Sequence, residues 1–284
     1  MRVTLFYLLL STTPIFAWWD SSHMAVAQIA EKHLNPKAKF HVQELISIFS
    51  EYYPASADFV TASCWADDHK RGLFDFSSWH KQLIPYDPDR IFNGEKIERS
   101  LECGIETCSH VLTNKKSSYY EKGIALRLLI HLVADAHMPL HCAALYNEQF
   151  PNGDKGGKLF PIQASAGSGI VTLHALWDSC MLIDYYELKR PLTANGKKHI
   201  EQFAQTLMLH FPAETLLEST DLNSHHWTQE SYDLAVHVAY HGITPNDLPS
   251  EEYLNKSKTA AFHQLALAGY RLSNLLNELF KDYK

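Results

Sequence analysis

Apolar residues recur along this chain at spacings of three and four, the period that lays them on one face of a helix. The repeat predicts helices over about 23–34, 40–52, 55–69, 95–113, 117–137, 172–185, 194–210, 227–241 and 256–281. Ser21 or Ser22 is the expected N-cap of the first, and Asn35-Pro36 ends it. Pro139 ends the helix that contains His131 and Asp135, which places His141 on the turn beyond it. Residues 151–172 break the helical period. They hold Gly153, Gly156, Gly157, Gly167 and Gly169 around two β-type runs, Leu159 to Ile162 and Ile170 to Leu173, a pattern that predicts a hairpin. With no repeat, low-complexity tract or linker in 284 residues, the expectation is a mainly α, single-domain multi-helix bundle with one small β-hairpin.

The N-terminus follows a different pattern. Met1-Arg2-Val3-Thr4 and then Leu5-Phe6-Tyr7-Leu8-Leu9-Leu10 form a short basic start and an apolar stretch too short to cross a bilayer. It reads as a secretory signal peptide over residues 1–17, cut after Ala17, although Ile15 is larger than the small residue preferred three before the cut. The mature domain, 18–284, would then begin at Trp18 and be secreted or periplasmic. No later segment is apolar enough for a membrane span, and a monomer is expected.

Charge and cysteine content narrow the chemistry. The net charge is −7, and loss of Arg2 with the leader makes it one unit more negative, which argues against a basic nucleic-acid groove of the usual kind. A cleft whose positive charge comes from metal ions can still attract phosphate. Seventeen histidines are a high count. None of the five cysteines has CxxC spacing, so a thiolate zinc site is not expected. In an exported chain Cys103 and Cys108, five apart, are expected to close a small disulfide loop, while Cys64, Cys142 and Cys180 leave at least one free thiol.

Two runs carry the strongest chemistry, His131-Leu132-Val133-Ala134-Asp135-Ala136-His137-Met138-Pro139-Leu140-His141 and His174-Ala175-Leu176-Trp177-Asp178. In each, His and Asp stand four apart, so on a helix both project from one face and can hold one metal. Imidazole nitrogen and carboxylate oxygen are both good zinc ligands. A lone His/Asp pair on a helix is usually a hydrogen-bonded core pair. Here His23, Asp67, His80 and His141 join the two pairs beside apolar residues, and the metal reading wins.

These residues, in this order, resemble one family. From Trp18 onward the chain is similar to the zinc-dependent, single-strand-specific nucleases of fungi and plants (the S-one/P-one type), and more distantly to the bacterial zinc phospholipase C enzymes. The matching pieces are Trp18 with His23, Trp65-Ala66-Asp67, Trp79-His80, the His131–His141 run, Gly153-Asp154-Lys155-Gly156-Gly157, His174–Asp178 and Trp227-Thr228-Gln229-Glu230-Ser231. The Cys103–Cys108 loop also matches a family disulfide. The resemblance implies three zincs: one held by Asp67, His80, His131 and Asp135; a second by the amine and carbonyl of Trp18, by His23 and by Asp135 as a bridging carboxylate; a third by His141, His174 and Asp178. His137 falls at a non-ligand position. Trp65, Trp79 and Trp177 read as core rather than as base-stacking platforms.

The implied chemistry is hydrolysis of single-stranded DNA or RNA and of 3′-nucleotides to 5′-products. A hydroxide between the two zincs that share Asp135 would attack phosphorus, and the third zinc would neutralise the leaving 3′ oxygen. Lys70 matches a position that carries Lys or Arg and would steady the transition state. Where the fungal enzymes have an aromatic residue and an Asp that grips the base, this chain has Lys81 and Leu83. The Asn that ends the family's Gly-Gly-Asn is Lys158. Looser base selectivity and stronger phosphate attraction are the expected result at these substrate positions. Two other functions compete. A phospholipase C on the same metal core would want an apolar headgroup pocket, of which Leu83 is the one hint. A zinc protein without catalysis would want closed sites, often with Cys, whereas the third metal here would have three protein ligands.

Overall fold

The computed structural model describes residues 20–69, 76–94, 99–164, 169–180 and 188–283. Eleven α-helices occur among them. The first half of the chain contains α1 (Asp20–His33), α2 (Pro36–Ser47), α3 (Phe59–Ala62), α4 (Trp65–His69), α5 (Ser100–Thr113) and α6 (Tyr119–Ala136). The second half contains α7 (Pro139–Cys142), α8 (Leu173–Asp178), α9 (Ala194–His210), α10 (Ser224–Leu234) and α11 (Glu251–Leu279). The fold is mainly α, as the periodicity predicts.

Helix α6 organises the rest. Every residue from Ala125 to Ala136 is buried, so this helix must be surrounded, and α2, α4, α5 and α11 pack around it. It starts at a capping box in which Ser118 Oγ accepts from Glu121 N while Glu121 accepts from Ser118 N, an arrangement typically worth about 1 kcal/mol. Arg127, fully buried, donates to the carbonyl of Ile46 at 2.9 Å and so ties α6 to α2. Helix α1 lies against α11, and Gly269 permits the approach: a Cβ there would fall 2.6 Å from the Ile29 side chain.

Several boundaries differ from the sequence expectation for identifiable reasons. The first helix begins at Asp20, with Ser21 and Ser22 inside it. Asn35 ends α1 and at once caps α2, its side chain accepting from Ala38 N at 2.9 Å. The single helix expected over 55–69 is divided, because Asp58 accepts from Thr61 N at 2.8 Å and starts α3 afresh. Pro139 opens α7 rather than leaving a plain turn, so His141 sits within a short helix. Among the described residues the expected hairpin is one antiparallel bridge, Pro161 to Thr172, flanked by Ile162 N to Val171 O and Leu173 N to Phe160 O, each 3.0 Å. Pro161 has no N–H to extend the ladder. The sheet that does form was not foreseen. Strands β1 (Ile84–Tyr86) and β2 (Ala143–Leu145) pair in parallel, joining the segment after His80 to the segment after His141.

The expected Cys103–Cys108 disulfide is absent: all five cysteines are free. Both residues lie within α5, where a separation of five turns the side chains about 140° apart around the axis. Cys103 is accordingly exposed and Cys108 buried.

Candidate metal centre

Eight of the residues singled out in the sequence converge in one buried region. Asp67 comes from α4, His80 from the turn Ser77–His80, His131 and Asp135 from α6, His141 from α7, His174 and Asp178 from α8, and His23 from α1. They form three groups, His23–His131–Asp135, Asp67–His80–His131 and His141–His174–Asp178, each with ligand atoms within 4.8 Å of one another. Trp18 and Lys70 lie outside the described residues.

Asp135 stands at the middle. Its Oδ2 is 3.1 Å from His80 Nδ1 and 3.2 Å from His131 Nε2, while its Oδ1 is 3.1 Å from His141 Nδ1 and 3.7 Å from His23 Nε2. The two oxygens therefore face different sets of rings. Neither makes an aligned hydrogen bond, and the same holds for both nitrogens of His23, for His80 Nε2, His141 Nδ1 and His174 Nε2. Buried polar atoms left without partners are costly. This many, all imidazole nitrogen or carboxylate oxygen and all converging, fit a set of divalent cations.

Backbone carbonyls set the rings' orientation. His131 Nδ1 donates to Ser63 O at 2.7 Å, and His174 Nδ1 donates to Gly156 O at 2.6 Å, which turns each Nε2, the nitrogen a metal would take in place of a proton, toward its carboxylate at 3.2 Å. Gly156 can sit there only as glycine. Its φ is +68°, and a Cβ would lie 2.2 Å from Leu140 O. Buried Asp154 holds the loop shape, accepting from Leu145 N, Gly156 N, Gly157 N and the Tyr240 hydroxyl.

The side chains' own charge balance differs across the region. Burial disfavours a charged His131, but Asp135 and Asp67 outweigh it and raise its pKa to about 9. Burial, then the neighbouring His131, pushes His23 down to about 3. Asp135 is held well below the ordinary carboxylate range, since His131 and His141 overcome the effect of burial. In the third group burial lowers His174 strongly, with His141 and Lys158 adding to it. Lys81 is lowered by burial and then by Lys158 and Lys155, which places these lysines together beside that group. Leu83 packs against the same loop, within 3.1 Å of where a Gly156 Cβ would stand.

A family model described as S1/P1 Nuclease matches residues 18–281. The chain belongs to the S1/P1 nuclease family. It is 23% identical to Endonuclease 2 of Arabidopsis thaliana over 99% of this chain and 96% of that protein. Identity is 26% to Endonuclease 4 of the same plant, over 93% and 90%, and 23% to Nuclease P1 of Penicillium citrinum, over 92% and 97%.

In this S1/P1 nuclease family member the structure also shows supporting residues that the sequence reading passed over. Gln82 N donates to His141 O at 2.8 Å, and the Gln82 side chain donates to buried Glu102, which also accepts from Thr228, His225 and Arg99. Ser231 Oγ donates to Ala136 O at 2.6 Å, next to Asp135. The Trp227–Ser231 run offered a signal for this brace; Gln82 and Glu102 offered none. His137 packs away from the ligands, taking a hydrogen bond from Arg271 Nη1 at 3.0 Å. Trp65 and Trp177 are buried in the core, the latter donating to the Tyr253 hydroxyl at 3.0 Å, and Trp79 packs half-buried against Phe76.

Proposed function

We propose that the chain is an exported, zinc-dependent nuclease that cleaves single-stranded DNA and RNA to 5′-nucleotides and also acts as a 3′-nucleotidase. The observation that carries this reading is Asp135, fully buried, with its two oxygens turned to separate sets of imidazoles inside a chain of the S1/P1 nuclease family. Asp67, His80, His131 and Asp135 would hold one zinc, His23 and Asp135 with the terminal amine and carbonyl of Trp18 a second, and His141, His174 and Asp178 a third. Zinc bound there would supply Lewis-acid polarisation of phosphate and activation of water at neutral pH.

The protein's own residues set what reaches those ions. Lys81 and Lys158, with Lys155, would draw phosphate toward the third group, and Lys70 would steady charge developing on the reacting phosphate. The start of the family match at residue 18 supports a mature chain that begins at Trp18. Among the described residues no helix is long and apolar enough to cross a membrane.

Metal analysis of the processed protein, together with an assay for 5′-mononucleotides released from single-stranded DNA and RNA, tests the reading. About three zincs per chain and nucleotide release are expected, both lost to chelators. Hydrolysis of phosphatidylcholine without nucleotide release would instead select the phospholipase C reading.

A further inference from the structure

Outside the ligand set, one half-buried arginine joins the two helices that bring His23 and Asp67 together. Arg190 Nε donates to Asp20 Oδ2 at 2.9 Å, while its Nη1 and Nη2 donate to Asp68 Oδ2 and Oδ1 at 2.7 and 2.8 Å. Asp20 is the first residue of α1, three before His23, and Asp68 follows Asp67 in α4. The side chain is 11% exposed, and its fork grips Asp68 with two parallel bonds, the geometry that separates arginine from lysine. Without a cation here, Asp20, Asp67 and Asp68 would face one another as like charges, and α1 would be repelled from α4.

We propose that Arg190 is a positioning residue for the metal centre, clamping the start of α1 to α4 so that His23 is held against Asp135 and the ion at His23 is retained. This rests on the metal reading above and goes beyond it by assigning the task of keeping one ion to a residue that touches none. A merely structural ion pair would change overall stability alike with and without metal. A clamp weakens one site and leaves the others.

The test measures zinc per chain after dialysis, and activity against free zinc concentration, in wild type, Arg190→Gln and Arg190→Lys. Arg190→Gln is expected to retain about two zincs where wild type retains about three, and to need about 10- to 100-fold more free zinc for half-maximal activity, the range seen when a residue supporting a ligand is removed. Excess zinc should restore turnover, and Arg190→Lys should fall between. Full zinc content with an unshifted zinc requirement in Arg190→Gln overturns the clamp. If that variant does not fold, Arg190→Lys decides: unchanged zinc retention overturns the proposal. Failure of the underlying reading looks different, since wild type itself would then hold no tightly bound zinc.

Discussion

Helix α6 holds the middle of the groups around Asp135, whereas in the third group a glycine loop orients the His174 ring. His131 and Asp135 sit four apart on a helix buried from Ala125 to Ala136, and the His23 ring from α1 stacks on His131 with centroids 3.9 Å apart. There, acid and base compensate each other, His131 pulled up and Asp135 pulled down. The second region takes its orientation from Gly156 O, in a turn where three successive residues, Lys155, Gly156 and Gly157, have positive φ. Its histidines are both lowered, by burial first, although Asp135 faces His141 at 3.1 Å and Asp178 faces His174 at 3.2 Å; Lys158 adds to the lowering of each. The contrast teaches that one donor chemistry is secured by packing in one place and by backbone strain in the other, so the two should fail differently.

The largest expected effect separates them directly. Asp135→Ala removes the carboxylate that faces both sets of rings, and should lower kcat/KM by on the order of 10³-fold or more and release about two zincs per chain. His174→Ala should release only one and leave the Asp135 ions in place. Metal analysis beside activity reads both. Equal zinc loss in the two variants would mean that Asp135 is not shared, and wild-type turnover in Asp135→Ala would remove the two-ion arrangement altogether.

The next effect tests strain. Gly156→Ala adds one methyl, 2.2 Å from Leu140 O and at φ +68°, so the loop must shift and carry the His174 hydrogen bond with it. Backbone strain of this kind costs about 1–3 kcal/mol, and zinc affinity at the His141–His174–Asp178 group should fall about 10- to 100-fold. Competition with a chromogenic chelator measures this. Unchanged affinity for all zincs would show that the loop does not aim His174.

The two regions also differ in how far the sequence disclosed them. The i, i+4 pairs His131–Asp135 and His174–Asp178 were legible because helical spacing alone puts each pair on one face. Convergence of His23, Asp67 and His80 on them came from resemblance, since no local period links α1, α4 and a short turn. The parallel β1–β2 pair could not be read: three residues each, with Pro85 in one, carry no alternation to detect. Cys103 and Cys108 misled although the period already predicts a helix over 95–113, on which a separation of five turns the two side chains about 140° apart. Glu102 was silent because Thr228 and His225, which donate to it, lie more than a hundred residues away, and Gln82 because its partners, Glu102 and the His141 carbonyl, belong to other elements.

That Glu102 brace links the two regions through Gln82, whose N–H reaches His141 O. Burial pushes the Glu102 carboxyl upward, but donors from Thr228, Gln82, His225 and Arg99 more than offset it and hold the pKa at about 2, against an ordinary 4.5. A folded pKa below the unfolded one contributes stability that is present above pH 4.5 and lost as pH falls toward 2. The full contribution is about 3 kcal/mol at most. Glu102→Gln should therefore be less stable than wild type at pH 7, with the gap closing as pH falls below 4.5. Paired denaturant titrations at pH 7 and pH 3 measure it. A gap of constant size would show that the charge of Glu102 is not what braces Gln82.

The smallest effect concerns the rim of the second region, where Lys81 and Leu83 follow His80 at positions for which the resemblance implies an aromatic residue and an acid. A carboxylate gripping a base edge discriminates by about 1–3 kcal/mol, and its absence should leave modest differences among the four bases. Lys81, half-buried and grouped with Lys155 and Lys158, would offer charge instead, which would act on phosphate whatever base it carries. Binding should therefore weaken steeply with salt. The double substitution Lys81→Phe/Leu83→Asp should flatten the salt dependence and introduce a base preference, both read from relative rates on four homopolymers at two salt concentrations. A strong preference for one base in the natural protein, unchanged by the double substitution, would place base recognition away from this rim and leave the lysines with phosphate alone.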